Sequence, residues 1–248
     1  MKKVQLAPIG LAVLGTAGVA VIGLVHGLPA IGWIAALLYL LISTILVLRA
    51  LRRRRAARFG WANVVTAIRS ALVGMIVGLV TASFIAPISV PLLVGLAIPA
   101  LALDAVDGWV ARRTGTATEL GAHYDMEVDA FLLLVLGAYV AQTSGPWVLA
   151  IGLMRYVFVA VGWVLPWFRR QLPPRYWRKV VTAVQGIALT FAASGLAPAI
   201  AGVLVAFALA LLVESFGRDV LWLARHRRAI MPPAPSAPPA VRGMRQPR

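Results

Sequence analysis

Eight apolar runs, each near the twenty residues that a helix needs to cross a bilayer, dominate this chain: 6–26, 29–48, 62–84, 88–107, 124–143, 146–168, 178–195 and 198–220. No water satisfies the backbone inside a bilayer, so runs of this kind fold as helices that close their own hydrogen bonds. The expected fold class is therefore an all-α integral membrane bundle. Hydrophobic residues make up 61% of the 248 positions and charged residues 13%, far from a soluble profile. The first run has the length of a signal peptide, but no A-x-A-like cleavage site with a polar start follows it. It is expected to remain as a helix, separated from the second run only by His26-Gly27-Leu28-Pro29.

The placement of charge orients the bundle. With eight spans and an inner N-terminus, the cytoplasmic segments are 1–5, 49–61, 108–123, 169–177 and the chain after 220. None of the 24 lysines and arginines lies in the opposite loops at 27–28, 85–87, 144–145 and 196–197, a complete positive-inside asymmetry. Trp61, Trp109, Trp167, Trp177 and Trp222 fall at the same inner boundary, where interfacial anchors belong. The net charge of +16 then reads as topology plus attraction to anionic lipids, and no nucleic-acid partner is expected. The localisation expected is a multi-pass protein of the cell (inner) membrane, with both termini and the site in the cytoplasm. Residues 1–48 form two N-terminal spans. Residues 49–60 form a basic connector (Arg49, Arg52–Arg55 and Arg58) suited to anionic headgroups, 61–228 a six-helix unit, and 229–248 a proline-rich tail expected to be disordered. The chain has no cysteine, which excludes disulfides, thiolate metal sites and a cysteine nucleophile. His26, His123 and His226 are isolated, and His123 is expected to be a loop residue without a catalytic role.

Against this background the acids stand out. Six of the eight lie between Asp104 and Asp129, and concentrating negative charge in an apolar, basic chain is costly unless cations neutralise it. Asp104 and Asp107 are spaced i, i+3 and Asp125 and Asp129 i, i+4, so each pair shares one helix face. Four convergent carboxylates suit Mg²⁺ or Mn²⁺, and a pair of such ions can clamp a diphosphate. Gly108 permits close backbone approach, and Arg112, one turn on, can pair with a phosphate.

The full pattern is D-x2-D-G-x2-A-R-x8-G-x3-D-x3-D, with its fixed positions at Asp104, Asp107, Gly108, Ala111, Arg112, Gly121, Asp125 and Asp129. It resembles the signature of the CDP-alcohol phosphotransferases, over roughly residues 61–225. The resemblance implies a core of six transmembrane helices, here preceded by two extra ones, and a homodimer. It also implies two divalent ions held by Asp104, Asp107, Asp125 and Asp129. The activity implied is transfer of a phosphatidyl group from CDP-diacylglycerol to a small polar alcohol (glycerol 3-phosphate or an inositol phosphate) with release of CMP. Asp129 is the candidate general base as well as a ligand.

Other polar residues are placed by the same reading. Asn63, Thr66 and Arg69 recur every three residues along one side of the third span. In similar family members that helix helps hold the cytidine nucleotide, which makes Asn63 and Thr66 donor-site candidates. Snorkelling is the plain expectation for Arg69, and an interhelical hydrogen bond for Thr66. Thr118 falls where relatives that use CDP-diacylglycerol often carry a small hydroxyl. Arg155 sits deep in its span, where a cation must face the bundle interior; it is expected either to bind an anionic acceptor or to pair with Glu214 or Asp219. Arg178 and Lys179 complete the acceptor candidates, and Lys179-x-x-Thr182-x-x-Gln185 loosely resembles a stretch of phosphatidylglycerophosphate synthases. A transporter is the alternative class, but transporters often show internal repeats, and no second copy of the acidic motif occurs. A catalytically silent member of the same fold is the other alternative, but such a chain would typically have lost an aspartate.

Overall fold

The structure, a computed structural model, describes residues 2–53, 61–114, 119–170, 172–173 and 175–226. Its long elements are eight helices: α1 (Lys2–His26), α2 (Ala30–Arg53), α3 (Trp61–Ala82), α4 (Val90–Thr114), α5 (Glu119–Ser144), α6 (Leu149–Val164), α7 (Tyr176–Ser194) and α8 (Pro198–Arg225). Short 3₁₀ turns, Pro146–Val148 and Pro166–Arg169, bracket α6. Every regular element among the described residues is helical, as a chain of this hydropathy requires. Among the described residues, six segments are individually long and apolar enough to cross a membrane, while the apolar part of α4 is the shorter Val90–Asp104. The first half of α7 carries Arg178, Lys179, Thr182 and Gln185, so it relies on its neighbours for a place in the bundle.

Helix ends depart from the hydropathy reading in several places. The second helix runs on to Arg53 through arginines assigned to the connector. The fourth continues to Thr114 and the fifth begins at Glu119, so most of the expected 108–123 loop is helix. A helix does not stop where its side chains become polar; it stops where capping or a breaker ends it. Pro166 is such a breaker, and α6 ends at Val164 rather than 168. The rest of the connector, Thr118 and the tail after 226 lie outside the described residues.

The centre of the bundle is α3, which packs on α1, α2, α4 and α5, while α7 packs on α4, α5 and α8. Its inward face (Val73, Ile76 and Leu79) is buried together with Leu93, Leu132 and Leu136, and outward positions such as Leu24 and Val203 are exposed, as lipid-facing side chains should be. Lipid is as apolar as leucine, so close packing rather than water exclusion must hold such helices together. Glycines provide it. A Cβ at Gly32 would come within 2.7 Å of the Gly78 carbonyl oxygen, and one at Gly152 within 2.4 Å of Leu134 Cα. Hydroxyls add a cross-link at the level of the acids. Ser43 of α2 lies 2.9 Å from the Ser70 hydroxyl of α3 and 3.1 Å from the Tyr124 hydroxyl of α5. Tyr39 reaches Ser70 at 3.2 Å and stacks on Phe131.

Candidate active site

Three helices assemble the acids. Asp104 stands at the polar end of α4, five residues past Pro99, which withholds a backbone hydrogen bond from that helix. Asp125 and Asp129 are one turn apart near the start of α5. The buried face of α3 lies between the two and projects Arg69 into them. Arg69 Nη1 donates to Asp104 Oδ1 at 2.7 Å. Its Nη2 lies 2.7 Å from Asp125 Oδ1 and 2.9 Å from Asp129 Oδ1, and also donates to the Asp125 carbonyl at 3.0 Å. The guanidinium side chain is 0% exposed, whereas that of Asp104 is 41% exposed. The cluster is therefore sealed behind Arg69 and open beside Asp104.

This corrects the snorkelling expectation for Arg69. A buried guanidinium is tolerated only when paired and hydrogen-bonded, and three carboxylates meet that need where the membrane surface would otherwise have done so. Three negative charges around one positive still leave a surplus. Oxygens of Asp104, Asp125 and Asp129 lie within 4.8 Å of one another, near the ~4 Å that separates opposite ligands of an octahedral Mg²⁺ with bonds of ~2.1 Å. Hard oxygen donors, negative surplus and convergence all fit a divalent cation. Asp107 is three residues beyond Asp104 on α4, with Gly108 and Arg112 further along the same helix. The side chains of Asp107, Arg112, His123 and Asn63 lie outside the described residues. Thr66, one turn before Arg69, is buried.

The acceptor candidates divide. Arg155 is held by Glu127 of α5 at 2.5 Å, not by Glu214 or Asp219. Glu127 is two residues from both Asp125 and Asp129, so helical geometry turns it to the other side of α5. Arg155 thus clasps the back of the acid-bearing helix. Glu214 instead takes Arg218 and the Trp177 indole N–H. Asp219 takes both prongs of the Arg178 fork, at 2.9 and 3.0 Å. Arg178, Thr182 and Gln185 share one face of α7, and Lys179 is exposed beside it. The Gln185 side-chain nitrogen is buried with no hydrogen-bond partner among the described residues. One residue on, a Cβ at Gly186 would touch Leu101, three residues before Asp104, so this polar stripe flanks the acid-bearing end of α4.

The reading of the sequence missed Arg69 as part of the cluster and Glu127 as the partner of Arg155. The Asn63-x-x-Thr66-x-x-Arg69 periodicity was the available signal, because it sets Arg69 on the face that turns inward. The sequence profile of the family described as CDP-alcohol phosphatidyltransferase matches residues 59–214, more than half of the chain. No curated protein and no solved structure matches it. The helices α1 and α2 precede the matched region.

Proposed function

The chain belongs to the CDP-alcohol phosphatidyltransferase family, and from that premise we propose that it moves a phosphatidyl group from CDP-diacylglycerol to a small polar alcohol, releasing CMP. The observation that carries this reading is the convergence of Asp104, Asp125 and Asp129 from two helices onto one spot, open on one side. Two Mg²⁺ or Mn²⁺ ions held by these residues and Asp107 would neutralise the charge that builds on the diphosphate. Asp129 is the base. It takes the proton of the acceptor hydroxyl while that oxygen bonds to the phosphatidyl phosphorus and the bond from phosphorus to the CMP oxygen breaks. Asn63, Thr66, Gly108, Arg112 and Thr118 would hold the donor.

Glycerol 3-phosphate or an inositol phosphate is the acceptor we favour, with Arg155, Arg178 and Lys179 as the cations that meet its phosphate. Each of the two arginines already holds a carboxylate, so an anionic acceptor would have to replace Glu127 or Asp219. The positive-inside pattern supports a site at the cytoplasmic face of the cell membrane, and family resemblance makes a homodimer the proposed assembly.

The test is purified protein with labelled CDP-diacylglycerol, Mg²⁺ or Mn²⁺ and a panel of alcohols, scored for CMP and lipid product. Asp104→Ala, Asp107→Ala and Asp125→Ala are each expected to abolish turnover without loss of membrane insertion. Arg155→Ala is expected to raise the acceptor KM with donor affinity unchanged. Wild-type turnover in any two of the aspartate variants would sink the assignment, and a harmless Arg155→Ala would leave Arg155 as a structural ion-pair residue.

A further inference from the structure

Resting on the metal-site reading above, we propose that Arg69 is a built-in counter-cation that makes tight divalent-metal binding conditional on the donor's diphosphate. One guanidinium, without exposed surface, lies within 2.7–2.9 Å of Oδ1 of Asp104, Asp125 and Asp129. These are the carboxylates that a divalent ion needs. Two effects then oppose each other. By orienting the carboxylates Arg69 assists ligation, and contacts of this kind are worth roughly ten- to a hundredfold in metal affinity. By placing a unit positive charge beside a doubly charged ion it hinders ligation, and such repulsion is strong where water is shut out. Arg69 is fully buried and touches all three carboxylates, and we take its repulsion as the larger effect although the cluster is open beside Asp104. The protein alone therefore binds metal weakly.

The charge count supplies the second half. Asp104, Asp107, Asp125, Asp129 and Arg69 together carry a surplus of negative charge that two divalent ions reverse into a single positive one. The diphosphate of a CDP-linked lipid is an anion drawn to that positive surplus. Without the guanidinium, the ions and the four carboxylates would balance, and only direct coordination by the ions would remain to attract it. Metal and donor thus strengthen one another's binding, and linkage makes the effect reciprocal. No other residue type fits the position as well. A lysine keeps the charge but offers one nitrogen in place of a planar fork.

The experiment uses the full-length protein in detergent, Mn²⁺ followed by electron paramagnetic resonance, and CDP as the soluble probe followed by calorimetry. In the wild type, CDP should raise Mn²⁺ affinity at least about tenfold, within the usual range of such coupling. Arg69→Met and Arg69→Gln should each bind Mn²⁺ about tenfold more tightly without nucleotide, yet bind CDP about tenfold more weakly at saturating Mn²⁺. Arg69→Lys, which keeps the charge but not the fork, should leave both affinities closer to wild type than either neutral variant does. Mn²⁺ binding that is unchanged or weaker in the neutral variants overturns the proposal. Should those variants not fold, absence of Mn²⁺–CDP coupling in the wild type overturns it instead. Failure of the metal-site reading looks different: the wild type and an Asp104→Ala/Asp125→Ala double variant would then bind Mn²⁺ alike.

Discussion

Asp129 gives one carboxylate oxygen to Arg69, which leaves the carboxylate further lone pairs for a proton or a metal. Asp129→Asn keeps the shape and one ligating oxygen but cannot usefully accept a proton. CDP-diacylglycerol binding should then survive within about tenfold, or ~1.4 kcal/mol, while turnover falls by ~10²–10⁴. Binding assays beside single-turnover kinetics check it, and equal losses in both would make Asp129 chiefly structural. The convergence of Asp104, Asp125 and Asp129 was legible in the sequence because fixed spacings mark the helix faces that carry them, whatever the rest of the fold does. Arg69 was not. An arginine in an apolar run reads the same whether it snorkels or is buried, and the partners that decide the matter are 35 and 56 residues away. The Glu127 partner of Arg155 was hidden for the same reason: the pair spans 28 residues and two helices.

Among the elements, hydropathy found all eight long helices but not their ends, since caps and prolines, rather than polarity, terminate helices. It also could not show which faces meet. Gly152 is one of sixteen residues in α6, yet a side chain there would meet the backbone of Leu134, so it fixes how closely α6 approaches α5. Gly152→Leu should lower stability by ~1–3 kcal/mol through overpacking. The control is Gly202→Leu on α8, where a Cβ meets nothing within 4 Å, and its effect should stay within about 0.5 kcal/mol. Thermal unfolding in detergent compares the two, and equal melting temperatures would show that α5 and α6 do not pack this tightly. The hydroxyl chain from Tyr39 and Ser43 to Ser70 and Tyr124 belongs to the same class of invisible contact. It ties α2 to the residues beside Arg69 and Asp125.

For the whole molecule, charge placement predicts one orientation, and the absence of cysteine from the natural sequence makes it easy to check. Ala86→Cys lies between α3 and α4, and Ala117→Cys between α4 and α5. An impermeant maleimide should label the first in intact cells and the second only after permeabilisation; the reverse pattern would put the catalytic face outside. The sequence left the place of α1 and α2 open, because the family profile begins at residue 59. The structure sets both against α3. The burial of Arg69 has a consequence in time. Synthesis runs from the N-terminus at ~5–20 residues per second, so Asp104, 35 residues after Arg69 and the first acid of the chain, emerges ~2–7 s later. For that interval α3 carries a cation with α1 and α2 beside it and no acid yet made to receive it. It must begin shallow, with Arg69 turned to the surface, and settle inward only once α4 and α5 arrive. The acid cluster is thus also a latch between α3, α4 and α5, closed by the same ion pairs that organise it.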